Sequence, residues 1–294
     1  MVSEDSWFER ALTDVGEAGA VVVEGAEIVY SAWGQPGARG ILLIHGSNAH
    51  RHWWQFVAPF LGQYFRVAAL DLSGHGDSGW RGQYSGKLYA KECRAVIDAA
   101  GLGVEPYVVA HSFGGFVGLE LGHYFGNDIK GIIFADFTVA PRERYMEWGL
   151  MRERNGAPAR PTRIYEDRET ALGRFRLIPE QPCGHPGIVS FLGDQALREV
   201  EGGFTWKFDP TMYDDLEMGV DQVDKFKGLP CRIAVLLGEH STDEGAQEAE
   251  HVRSITEGKV PILTLPGTHH HFMLDDPMAC LMAISGILSA WDQY

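Results

Sequence analysis

The sequence predicts an α/β protein in which a mostly parallel sheet is flanked by helices and interrupted by a mostly helical insertion. Three observations carry this. First, short and almost wholly apolar runs end at glycine-rich loops: "GILLIHG" (40–46), "FRVAALDLSG" (65–74), "PYVVAHS" (106–112), "KGIIFADF" (130–137) and "CRIAVLLGEH" (231–240). Such runs suit strands buried on both faces of a sheet. Second, helical stretches separate most of these runs, and that alternation marks a parallel sheet with crossover helices. Third, the rhythm stops between 139 and 227, where charges and aromatics ("RERYMEWGLMRERN", "EGGFTWKFDPTMYDDLEMG") replace the buried-strand pattern.

In chain order, residues 6–16 read as a short amphipathic helix. "AVVVEG" and "EIVYSAWG" then read as two strands of a hairpin around a Gly-Ala turn. The run at 40–46 is the first buried strand, "WWQFVAPFLGQY" a helix, and 65–74 the next strand. "LYAKECRAVIDAAG" is helical, 106–112 a strand, "GGFVGLELGHYF" helical and 130–137 a strand. After the insertion come the strand at 231–240, a helix through "EGAQEAEHVRSITE", a strand at "VPILTLPG", the triple "HHH" and a closing helix "PMACLMAISGILSAW". The expected division is a core of 1–138 and 228–294 with a cap subdomain at 139–227.

A chain of 294 residues, 45% of them hydrophobic, is long enough for one large core with a small appended subdomain. Lys and Arg total 25 against 40 Asp and Glu, and the net charge of -15 argues against nucleic acid and anionic membrane surfaces as partners. The four cysteines (Cys93, Cys183, Cys231, Cys280) form no CxxC pair and have no histidine at zinc-ligand spacing, so they read as reduced, packed thiols. The first residues carry early acids and no apolar core run, and no apolar run approaches a membrane span. The expectation is a cytoplasmic protein with a small-molecule partner; a homo-oligomer is compatible with it.

The informative stretch is "AHSFG" at 110–114, which joins the strand "YVVA" to the helix "GGFVGLELG". In the pattern G-x-S-x-G a serine sits on a strained strand-to-helix turn with its hydroxyl above the sheet and the helix N-terminus facing it. Ser112 occupies that place, with Ala110 where the first glycine usually stands. That methyl requires strand and helix to lie slightly further apart. "LLIHGSNAH" puts His45-Gly46 at the end of another buried strand, so the backbone N–H of Ser47 is placed to join that of Phe113 as an oxyanion hole. The Asn48 side chain is a candidate third donor. A serine hydroxyl needs an imidazole to take its proton, and the imidazole needs a carboxylate. His269, His270 and His271 compete for the first role; Asp136, Asp243 and Glu239 compete for the second. A metal at the triple is not expected, because successive residues point different ways and no carboxylate or cysteine at matching spacing completes a site. His45, His75 and His111 fit loop hydrogen bonds better than catalysis, although His111 flanks the serine and is a candidate pocket residue.

Taken in order, "HG", "DLSGHGDS" (71–78), "AHSFGG" and "GTHHHFMLDDP" resemble the α/β-hydrolase superfamily, over roughly 40–136 and 228–294. Within it the chain looks closest to capped, single-domain esterases and to cofactor-free haloperoxidase-like or dehalogenase-like members. The insertion matches nothing recognisable. The resemblance implies a mostly parallel eight-stranded sheet, no cofactor and no metal. It implies that the catalytic histidine lies seven residues before a proline, which from Pro277 selects His270. Many relatives place an aspartate three residues after the glycine of "LLG", but Ser241 stands there; relatives with serine at that position use an aspartate ending the strand after the nucleophile helix, which is Asp136. Asp243 and Glu239 stay open as alternatives. The elbow carries serine rather than aspartate, which argues against alkyl-halide or epoxide chemistry. The implied activity is serine hydrolysis of an ester or related acyl bond through an acyl-enzyme on Ser112. The same triad also serves carbon–carbon bond hydrolysis, amide hydrolysis and perhydrolysis, and some relatives only bind a ligand and signal. Aromatics near the expected pocket (Trp53, Trp54, Phe113, Phe137) and in the insertion (Trp148, Trp206, Phe208) suggest an apolar substrate group, or simply core.

Overall fold

A computed structural model describes residues 6–147, 162–214, 216 and 220–293. Its centre is an eight-stranded sheet in the order β1-β2-β4-β3-β5-β6-β9-β10. The strands are β1 (Glu17–Val23), β2 (Ala26–Trp33), β3 (Gly40–Ile44), β4 (Arg66–Leu70), β5 (Tyr107–His111), β6 (Gly131–Ala135), β9 (Arg232–Gly238) and β10 (Ile262–Leu265). A separate pair, β7 (Leu197–Val200) and β8 (Gly203–Trp206), forms its own antiparallel hairpin. The β1–β2 and β2–β4 pairs are antiparallel, and every other pairing in the main sheet is parallel.

Alternation along the central strands sorts their side chains into two apolar layers. Leu42 and Ile44, Val108 and Ala110, Ile132 and Phe134, and Val235 and Leu237 face one layer. Ile41 and Leu43, Tyr107 and Val109, Ile133 and Ala135, and Ala234 and Leu236 face the other. Helices α3 (Gly86–Ala99) and α4 (Phe113–Phe125) cover the first layer, with Cys93, Val96, Phe116 and Val117 buried. The closing helix Pro277–Gln293 covers the second through Cys280, Ile284 and Leu288. Both faces are apolar, which is why these strands read as continuous rather than alternating hydrophobic runs.

The first helix, α1, covers Ser6–Thr13 only. Two helices expected from the sequence are broken. Residues 53–64 hold the end of a 3-10 turn, Arg51–Trp54, and a four-residue helix, α2 (Ala58–Leu61). Trp54, Phe56 and Val57 are wholly buried, so packing on several sides overrides the helical pattern, and Pro59 sits in the first turn of α2, where its missing N–H costs least. Residues 244–257 divide into a 3-10 turn, Glu244–Ala246, and a helix, Ala249–Ile255. Asp243 accepts from Gly245 N at 2.9 Å and caps the first piece.

Within the insertion the described residues include helices Arg168–Leu172 and Pro186–Gln195, yet also the β7–β8 hairpin, turning at Gly202 with φ +89°. Four-residue strands exposed along one side carry no buried run, which is why the sequence pattern suggested helix there. The insertion is tied to the core by polar bonds: Asp209 N donates to Gly74 O (2.8 Å) and Tyr84 Oη to Asp209 Oδ2 (2.6 Å). Residues 222–227 form a helix whose Phe226 packs on Phe134 of β6, with ring centroids 5.4 Å apart. Trp148 lies outside the described residues. Among the described residues no helix is long and apolar enough to cross a membrane.

Candidate active site

The neighbouring parallel strands β5 and β6 and the loop after β10 deliver the site at one end of the sheet. β5 ends at His111, α4 begins at Phe113, and Ser112 between them adopts φ 54°, ψ −122°. A non-glycine residue at positive φ is strained, at a cost on the order of 1–3 kcal/mol. The turn is pinned by Ser112 N donating to Ala135 O (3.0 Å) and Gly115 N to Ser112 O (2.7 Å). The glycines here are required by close approach. A Cβ on Gly114 would lie 2.5 Å from the carbonyl oxygen of His45, and one on Gly115 2.3 Å from the ring of Phe137. A Cβ on Gly118 would lie 2.8 Å from that of Ala110. The methyl of Ala110 is thus accommodated by a glycine one turn into the helix.

His270 lies in the loop after β10, and its Nε2 is 3.0 Å from Ser112 Oγ. Its Nδ1 is 2.6 Å from Oδ2 of Asp136, which directly follows β6 at φ 48°. Asp136 is 1% and His270 3% exposed. The carboxylate is held on every side by donors: Gly238 N reaches Oδ1 at 2.8 Å, and Ser241 Oγ donates to Oδ2. Ser241 therefore steadies the carboxylate, a role that sequence reasoning missed because it noted only the absent aspartate. Of the alternative acids, Asp243 sits beside the other imidazole nitrogen, 3.8 Å from His270 Nε2, and is partly exposed. Glu239 turns outward and accepts from Gly267 N (2.8 Å).

His269 pairs with Asp275 at 3.1 Å, away from the serine. His271 donates its backbone N–H to Gln181 Oε1 (2.8 Å) and faces Ile178 O with Nε2 (3.2 Å). His111 places Nε2 2.9 Å from the carbonyl of His270. Burial holds the imidazoles of His111 and His271 well below their usual pKa, and the neighbouring His270 pushes both the same way. His45 and His75 serve the loops: His45 Nε2 accepts from Leu72 N (3.1 Å), and burial pushes His75 down to about 3.

The loop after β3 runs against the elbow, since a Cβ on Gly46 would meet that of Ser112 at 3.1 Å. Ser47 borders the cavity beside Ser112. Phe113 is the first residue of α4, where the N–H has no partner within the helix. This cavity of about 260 Å³ is walled by Trp53, His111, Ile178, Pro179, Asp243 and His271, with Ser112 and His270 at its base. Two more open clefts, of about 390 Å³ beside Arg10 and Trp33 and about 620 Å³ beside Tyr84 and Lys91, contain no nucleophile–imidazole pair. Of the aromatics expected near the pocket, only Trp53 lines it. Trp54 and Phe137 are core, and Trp206 packs within the insertion against Tyr165 and Phe175.

A family model described as "Alpha/beta hydrolase family" matches residues 41–282. Esterase Rv0045c of Mycobacterium tuberculosis (strain ATCC 25618 / H37Rv) is 26% identical over 276 residues, covering 90% of this chain and 88% of the relative. Among solved structures, the thioesterase domain from the curacin biosynthetic pathway superposes with a TM-score of 0.77 at 22% identity, covering 92% of this chain and 99% of the other. E-2-(acetamidomethylene)succinate hydrolase superposes with a TM-score of 0.75 at 17% identity, covering 93% and 99%. With the eight-stranded sheet and the match over most of the chain, the conclusion is plain: this protein belongs to the alpha/beta hydrolase family and is a hydrolase of its esterase-like branch.

Proposed function

We propose that the protein is a serine hydrolase that cleaves an ester of a small, largely apolar acid through an acyl-enzyme on Ser112. The observation that carries this reading is the continuous hydrogen-bonded line Ser112 Oγ, His270, Asp136 at the base of a cavity. His270 Nε2 takes the hydroxyl proton as Oγ bonds to the carbonyl carbon. Asp136 keeps the Nδ1 proton in place and offsets the imidazolium charge. The N–H groups of Ser47 and Phe113 bind the oxyanion. As the tetrahedral species collapses, the proton on Nε2 passes to the departing alcohol, and water repeats the sequence to release the acid. No cofactor enters these steps.

A cavity of about 260 Å³ falls below the range of roughly 300–1,000 Å³ typical of drug-sized ligands, which favours short acyl groups. We read the insertion at 139–227 as a cap: among its described residues Ile178 and Pro179 join the cavity wall, and its described elements, short and locally paired, fit a cover better than a second core. The net charge of -15 argues against nucleic acid and anionic membrane surfaces as partners. The test is a fluorophosphonate probe with peptide mapping, combined with p-nitrophenyl esters from acetate to decanoate. The reading expects one adduct, on Ser112, with kcat/KM falling as the acyl chain lengthens. An adduct elsewhere, or none in a folded sample, removes Ser112 as nucleophile.

A further inference from the structure

Spacing alone argues against a metal at residues 269–271, but the fold supplies the ligand that spacing hides. His111, from the end of β5, sets its ring 4.8 Å from that of His270 and 5.5 Å from that of His271, and the latter two are 4.7 Å apart. One ring nitrogen from each of the three lies within 4.8 Å of the others. Asp243 Oδ2 stands 3.8 Å from His270 Nε2, and all four residues line the same cavity.

The hydrogen bonds around these rings orient them as ligands. His270 Nδ1 faces the Asp136 carboxylate (2.6 Å), His111 Nε2 the carbonyl of His270 (2.9 Å) and His271 Nε2 the carbonyl of Ile178 (3.2 Å). A ring nitrogen facing such an oxygen carries the proton, which leaves a lone pair on His270 Nε2, His111 Nδ1 and His271 Nδ1. Metal-binding histidines are held in this way, with one N–H donated to a carboxylate or carbonyl and the other nitrogen free to coordinate. His271 Nδ1 is the most telling of these atoms. Its residue is 3% exposed, this nitrogen has no hydrogen-bond partner among the described residues, and the side chain lines the cavity beside His111 and His270.

We propose that His111, His270, His271 and Asp243 form a binding site for a divalent transition ion of the zinc type, and that its occupancy blocks hydrolysis by taking the His270 Nε2 lone pair. Three imidazoles and one carboxylate are a zinc-like donor set and a poor one for Mg²⁺ or Ca²⁺. Tetrahedral Zn²⁺ with Zn–N of about 2.0–2.1 Å holds its ligand atoms about 3.4 Å apart. The separations, up to 4.8 Å among the imidazoles and 3.8 Å from Asp243 to His270 Nε2, are wider than this, so ion binding must draw the side chains inward. Ion binding stands on the geometry alone; inhibition rests on the hydrolase reading above.

The test is Zn²⁺ titration of the full chain by calorimetry, with His271→Ala, Asp243→Asn and His269→Ala compared, and the visible spectrum of Co²⁺ added to the unaltered protein. The site predicts one ion per chain and the intense visible bands of tetrahedral Co²⁺. It also predicts affinity at least tenfold weaker for His271→Ala and unchanged for His269→Ala, whose ring pairs with Asp275 instead. The absence of saturable binding, or equal affinity in all variants, overturns it. Zn²⁺ should also abolish ester hydrolysis at the concentration that fills the site, with recovery on chelation. Binding without any hydrolytic activity would keep the site and sink the hydrolase reading; zinc-insensitive hydrolysis would do the reverse.

Discussion

Replacing Asp136 by Asn tests the charge line at its least obvious member. All three contacts of the carboxylate are with donors: Gly238 N on Oδ1, and Ser241 Oγ and His270 Nδ1 on Oδ2. An amide has only one acceptor oxygen. If that oxygen stays on Gly238, the NH₂ faces His270 Nδ1, forcing the ring proton onto Nε2, where it points at Ser112 and cannot accept the hydroxyl proton. With the amide turned over, NH₂ meets the Gly238 N–H and a buried donor pair is left unsatisfied. Either way the negative charge that steadies the imidazolium is gone. The equivalent change in a serine protease costs about ten-thousandfold in kcat, or about 5 kcal/mol at 1.36 kcal/mol per decade. The assay is kcat and KM on p-nitrophenyl butyrate, with circular dichroism to establish folding, and Asp243→Asn beside it. Asp243 is partly exposed and lies 3.8 Å from the wrong nitrogen for the orienting role, so its variant should stay within roughly tenfold, the scale of an exposed ion pair. A folded Asp136→Asn that kept a tenth of the rate, with Asp243→Asn losing four decades, would refute the reasoning.

Ser112→Ala should lower kcat on the order of a millionfold with the fold intact. His270→Ala should match it, whereas His269→Ala, removing a ring held by Asp275, should retain most activity; comparable losses at both would put the register in error. Ser241→Ala removes a charge-assisted hydrogen bond worth about 1.5–3 kcal/mol from Asp136, so kcat should fall roughly 10- to 100-fold with KM steady, and an unchanged kcat would remove Ser241 from the charge line. Burial lowers the imidazole of His52 to about 4 and that of His75 to about 3. Below an unfolded value of about 6.5 the unfolded chain binds more protons, so stability falls as pH drops from 6.5 toward 4. At pH 5 the two together should cost about 4 kcal/mol relative to pH 7.5, measured by urea unfolding; a flat profile between these values would contradict it.

Much of this was legible because it depends on local pattern. Apolar runs ending in glycine loops marked the strands of the parallel core, and the small residues around Ser112 marked the elbow. The count from Pro277 pointed to the histidine that the fold brings to Ser112. What escaped depends on distance across the fold. The hairpin at residues 197–206 consists of two four-residue strands half open to solvent, too short and too exposed to leave a buried run. The room made by Gly118 for Ala110, the donation from Ser241 to Asp136 and the approach of His111 to His271 join residues from different elements, and no spacing along the chain encodes them.

One geometric regularity explains why the site nonetheless follows from the sheet. The strands β5, β6 and β9 are adjacent and parallel, and each hands the next a hydrogen bond just past its end. Ser112 N donates to Ala135 O, Asp136 N donates to Leu236 O, and Gly238 N returns a bond to the Asp136 carboxylate. Ser112 and Asp136 both sit at positive φ, at 54° and 48°, one step beyond their strands. A strand that continued straight would send the following side chain up or down with the pleat; the left-handed kink breaks that alternation at both residues. His270, arriving from the loop beyond β10, bridges the two kinked residues. The strain is held by the paired backbone beneath it, so the carboxylate and the hydroxyl keep their separation when the imidazole between them changes charge. Preorganisation of this kind requires a register fixed on both neighbours, which an edge strand such as β1 or β10 cannot offer and β6, paired with both β5 and β9, does.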